Sequence, residues 1–112
     1  MKKTIEDIQW HAPWRPLTHP LDLPALQNQF NRELAEGHPL WDRDAKVVGR
    51  RVDSDDVLVV CSDGAVATVH LDWATGPHGF PAEYPSVVAH ESLTEFQKVV
   101  DEDALEYGED ND

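Results

Sequence analysis

Residues 56–73, DVLVVCSDGAVATVHLDW, decide the fold. Two apolar runs flank Asp63-Gly64. An Asp-Gly pair in that setting signals a hairpin, because a two-residue turn needs positive φ at both central positions. With Asp63 and Gly64 as the loop, Ser62 faces Ala65, Val60 faces Ala67 and Leu58 faces Val69. One sheet face then holds Leu58, Val60, Ser62, Ala65, Ala67, Val69, Leu71 and Trp73 and is the expected core. The other holds Val57, Val59, Cys61, Val66, Thr68, His70 and Asp72, a mixed face expected to be half open to water.

Outward from the hairpin, residues 45–52 read as a preceding strand whose register stays open, since one residue more or less in the turn at 53–56 would exchange its faces. Upstream of it, 22–36 is a helix: Leu23, Leu26, Phe30 and Leu34 recur at helical spacing, Pro24 sits in the first turn, and Gly37 supplies the stop. Its polar positions, Gln27, Asn28, Asn31 and Arg32, are expected to face solvent. Residues 1–20 contain WHAPWRPLTHP, whose prolines at 13, 16 and 20 preclude a continuous helix and predict an extended arm. Trp10 and Trp14 on that arm either pack on the core or form an exposed anchor, and burial is the commoner fate of Trp.

Downstream, the Gly- and Pro-rich residues 74–85 predict a loop and 86–89 a short returning strand. Ser92-Leu93-Thr94-Glu95 is a capping box opening a helix striped by Leu93, Phe96, Val99 and Val100. Residues 101–112 hold seven acids and no base, and are expected to fray into a disordered acidic tail. The expected architecture is α+β: residues 1–100 form a single domain, an antiparallel three- to four-stranded β-meander packed by two α-helices, with an extended N-terminal arm.

The composition restricts function. Of 112 residues, 22 are acidic and 9 basic, a formal net charge of −13. That sign opposes phosphate-backbone and anionic-membrane binding, so neither nucleic acid nor membrane is the expected ligand. No apolar run approaches the ~20 residues that span a bilayer. Glu6 and Asp7 interrupt the apolar stretch a signal peptide needs, so a cytoplasmic location is expected. Cys61 is the single cysteine and has no disulfide partner in the chain.

No motif carries chemistry by spacing alone. The six histidines lack metal-ligand spacing with one another or with Cys61. The cluster Asp53, Asp55, Asp56 lacks the glycine and the distal Glu of a calcium loop, and reads as a self-bonding turn. There is no GxSxG, GxxxxGK[ST] or GxGxxG. No cofactor or metal is implied. The candidate binding residues are His70, Asp72, Trp73, Asp55, Asp56, Trp10 and Trp14.

The run Asp55-Asp56-Val57-Leu58, then Asp63-Gly64, then Val69-His70-Leu71-Asp72-Trp73, followed by Ser92-Leu93-Thr94-Glu95-Phe96, resembles a group of small bacterial proteins with a DDVL…DG…VHLTW pattern. Glu33-Leu34 and Gly37-His38-Pro39-Leu40 extend the resemblance over about residues 26–97, with Asp72 where a Thr is usual. It implies a small α+β fold and supplies no catalytic residues.

The function expected from these features is non-enzymatic binding of another, basic protein, one version being an immunity protein or antitoxin that neutralises a cationic nuclease. The alternative is a small enzyme or ligand-binding protein using His70 and Asp72 in a cleft beside the 74–85 loop. A homodimer joined through Val57, Val59, Cys61 and Val66 is a further expectation.

Overall fold

The structure, a computed structural model, describes residues 5–17, 22–71, 73 and 86–108. Five antiparallel strands lie side by side in chain order: β1 Trp14–Pro16, β2 Lys46–Arg51, β3 Asp56–Val60, β4 Val66–His70 and β5 Ser86–His90. Helix α1, Asp22–Glu33, falls between β1 and β2, and α2, Leu93–Gly108, follows β5. The α+β meander with two helices is present, and the arm contributes a fifth, edge strand.

The hairpin turns at Asp63-Gly64 with three loop residues, not two. Gly64 N–H donates to the Cys61 carbonyl at 2.9 Å and Cys61 N–H to the Ala65 carbonyl at 2.8 Å. Gly64 takes φ +90°. This is a tight turn followed by a left-handed residue, a geometry that glycine adopts without strain. The register therefore moves by one: Val60 pairs with Val66, Leu58 with Thr68 and Val57 with Val69. The expected single apolar face is thereby split. Val57, Val59, Cys61, Ala67, Val69 and Leu71 pack with Leu26 and Phe30 of α1 and with Leu34 just after it. Leu58 and Val66 pack on the opposite side with Phe96 and Val100 of α2 and with Ile8 and Trp14 of the arm. Each face of the sheet packs against a helix, so the expected division into a core face and a half-open mixed face is corrected. Val57, Val59, Cys61 and Val66, the residues of the expected dimer seam, are all buried within the chain.

Strand β2 resolves its open register with a bulge: Val47 pairs with Val59, but Gly49 pairs with Leu58. The extra residue places Val48 and Gly49 both on the α2 side. Gly49 is required there because a Cβ would lie 2.5 Å from Trp10 Cη2 and 3.2 Å from the Arg15 carbonyl. Gly49→Ala is expected to cost about 1–3 kcal/mol by overpacking, read as a lower denaturant midpoint, with Trp10→Leu relieving part of the loss.

The arm is a strap. Trp14 is 2% exposed and its ring meets Phe96 edge-on at 5.1 Å; half-buried Trp10 meets the same ring at 6.2 Å. In α1, Gln27 is not a solvent residue as expected. Its amide oxygen accepts from Val47 N–H at 2.8 Å and its amide nitrogen donates to the Ala45 carbonyl at 3.1 Å, stitching the helix to the start of β2. Gly37 takes φ +105° just past the helix.

At α2, the Ser92 hydroxyl accepts from Glu95 N–H at 3.2 Å, as the capping box predicts, while the Glu95 carboxylate accepts from Lys98. The helix then continues through Gly108, where fraying was expected. Tertiary anchoring overrides the acidic composition: Asp103 Oδ2 accepts from Trp14 Nε1 at 2.7 Å and from Arg51 at 3.1 Å. Residues 109–112 lie outside the described residues.

His90 closes the ring cluster, 5.4 Å edge-on from Phe96 and 2.7 Å from the Thr68 hydroxyl. Burial pushes its pKa down. A histidine whose folded pKa lies below its unfolded value, about 6.5, is charged more readily in the unfolded chain, so stability falls as pH drops through that value. Wild type is expected to lose more thermal stability than His90→Gln between about pH 7.5 and pH 5.5. Equal losses would show that this imidazole is not the group responsible.

Candidate functional site

Four of the residues singled out in the sequence converge on one corner, where the β2–β3 turn meets the end of β4. Asp56 and His70 are directly paired across β3 and β4, and His70 Nδ1 lies 2.9 Å from Asp56 Oδ1. An ionised carboxylate only accepts, so this nitrogen carries the proton. The Ser54 hydroxyl donates to the other Asp56 oxygen at 3.0 Å. Asp55 Oδ1 accepts from the indole Nε1 of Trp73 at 3.0 Å.

Trp73 is the unusual member. Its ring side is 51% exposed and its φ is +57°, a left-handed conformation that bulky residues avoid. Two bonds hold it there. The indole is tied to Asp55, and the backbone N–H donates to Glu33 Oε2 at 3.0 Å. Glu33 itself has no exposed surface and also accepts from Gln29 at 2.7 Å. Glu33 escaped the sequence reading. The available signal was its place three residues after Phe30, on the buried edge of the α1 stripe.

Electrostatically the corner is mixed. Arg51 donates to Asp53 at 2.6 Å, and this contact holds the Asp53 carboxyl below the usual range. Arg50 lies on the α1 side, around a small depression shared with Asp55, Asp56 and Trp73. The three aspartates do not focus on one point: Asp53 serves Arg51, Asp55 the indole, and Asp56 both His70 and Ser54. Among the described residues, no group of three or more His, Cys, Asp or Glu side chains could hold a metal ion. Nor is there a nucleophile relay here, because the Ser54 proton goes to Asp56 and not to the imidazole.

The other candidates separate from this corner. Trp14 is a core residue of the layer under α2 and half-buried Trp10 packs against that layer, so both lie on the core and away from this corner. Asp72 and the 74–85 loop, with the cleft expected beside it, lie outside the described residues. Cys61 is buried, and that burial pushes its thiol pKa up, away from the reactive thiolate. His38 is buried too, with its Nδ1 accepting from Leu40 N–H at 3.0 Å, a local turn contact.

No family model, curated protein or solved structure matches the chain. Among the described residues, no helix is long and apolar enough to cross a membrane.

Proposed function

We propose that the protein is a non-enzymatic binder of another protein with a basic surface, engaged through the corner of Trp73, Asp55, Asp56 and His70. The observation that carries this reading is Trp73: a large ring half in water, pinned at its backbone and its indole, beside two carboxylates. A pre-positioned tryptophan loses little freedom on binding and suits the centre of an interface, while the surrounding acids suit Lys and Arg on the partner. The chain's net charge of −13 would steer such a partner from a distance. One version is an immunity protein or antitoxin whose carboxylates occupy the phosphate sites of a cationic nuclease.

The test uses proteins encoded beside this chain's gene, expressed with it and measured for association. A positively charged partner is expected, with an association rate that falls about tenfold or more between roughly 50 and 500 mM salt. Trp73→Ala should weaken the complex by about 2 kcal/mol, near 30-fold. A complex indifferent to both salt and Trp73 would speak against this assignment.

A further inference from the structure

We infer a second docking site at the other end of the β3–β4 hairpin: a groove that takes a short peptide segment bearing apolar side chains and Lys or Arg. It shares with the preceding reading only the sign of the partner's charge and uses none of the corner's residues.

The groove encloses about 770 Å³ between the start of α2 and the turn end of the hairpin. Helix α2 begins at Leu93 and reaches β1 and β2 through Asp103, and among the described residues it leaves this groove open beside its first turn. Val48, Val60 and Val66 form the floor and Leu93 one wall. Val48 faces the groove by alternation from Val47, which packs on the α1 side. The volume falls within the range of about 300–1,000 Å³ typical of ligand pockets, enough for several side chains.

The rim selects the charge. Among the described residues, Asp44, Asp63 and Glu91 line it together with Lys46, which already lies 3.1 Å from Asp44. Asp63 accepts from Arg43 at 2.7 Å and from Ala65 N–H at 3.0 Å, while Glu91 is exposed at the mouth. Anionic amphiphiles meet this rim and the field of a chain of charge −13 as repulsion. A Leu or Val of a bound segment sits on the valine floor, and a flanking Lys or Arg reaches Glu91 and Asp44.

The experiment follows the methyl resonances of Val48, Val60, Val66 and Leu93 in the full chain by NMR during titration with three acetylated octapeptides. One alternates Leu and Lys, one Leu and Glu, one Ser and Lys. The Leu/Lys peptide is expected to shift these methyls, with affinity falling about tenfold between roughly 50 and 500 mM salt, and the other two to leave them unmoved. Glu91→Lys, an exposed change, should weaken Leu/Lys binding about tenfold. Val60→Glu should abolish it, and Trp73→Ala should leave it unchanged, so the fate of the corner and that of the groove are read separately. Several results would overturn the inference: no shift with Leu/Lys, equal binding of either control peptide, or loss of binding in Trp73→Ala. Binding that appears only after residues 1–4 are deleted would do the same, by assigning the groove to the chain's own N-terminus.

Discussion

Phe96→Ala is expected to lower stability by about 3–5 kcal/mol, a large part of the 5–15 kcal/mol that holds a typical domain folded. The ring has no solvent exposure and is the hub of the α2 layer. Trp10, Trp14 and His90 all present edges to it, at 6.2, 5.1 and 5.4 Å, and Leu58 and Val66 complete the cluster. Truncation removes the transfer energy of the ring and leaves a cavity that two indoles, one tied to Asp103 through its Nε1, cannot simply fill. Edge-to-face ring pairs add about 0.5–1.5 kcal/mol beyond area alone, so Phe96→Leu should recover only part of the loss. Denaturant unfolding followed by Trp fluorescence checks both. A cost below about 1 kcal/mol for Phe96→Ala would mean that α2 and the arm do not pack on the sheet as described.

Glu33→Ala is expected to cost about 2–4 kcal/mol. Its Oε2 takes both the Gln29 amide and the Trp73 N–H in a fully buried position. Deleting the carboxylate strands two donors away from water, and a buried unpaired polar group costs about 1–3 kcal/mol. Glu33→Gln retains an oxygen that can serve those donors and should be the milder change. The effect also reaches the corner: with its backbone anchor gone, Trp73 is held at φ +57° by the indole bond to Asp55 alone, and its fluorescence should report a more mobile ring. If Glu33→Ala is destabilising but leaves the Trp73 environment unchanged, Glu33 does not anchor that residue.

Much of the fold was legible because it is written in local chemistry. Asp63-Gly64 marks the hairpin and Ser92 caps α2, whereas α1 ends at Glu33, three residues short of the expected end, and Gly37 serves the turn closed by His38 N–H and the Ala35 carbonyl. The faces were not legible, since Ser62-Asp63-Gly64 can close a two- or a three-residue loop and the choice reverses every side chain beyond it. A clue stood in β3: the unbroken apolar run Val57–Cys61 suits a strand covered on both sides better than an alternating one. The bulge at Val48 depends on packing between β2 and β3 and has no signature in the sequence beyond Gly49. At the candidate corner, Asp55, Asp56, His70 and Trp73 were named from sequence because they flank the strand ends. Glu33 was missed because it arrives from α1, 40 positions from the N–H it serves. Asp103 was assigned to a disordered tail on composition, which says nothing about a partner 89 residues away.

That last separation bears on how the protein is made. The bond between Trp14 and Asp103 spans most of the domain, so Trp14 leaves the ribosome well before the helix that receives it. At about 5–20 residues per second, the roughly 90 intervening residues take several seconds to synthesise. Late in that interval the Leu58 and Val66 side of the nascent sheet lacks the Phe96 and Val100 side chains of α2, and a chaperone that shields apolar surface would have its period of contact then.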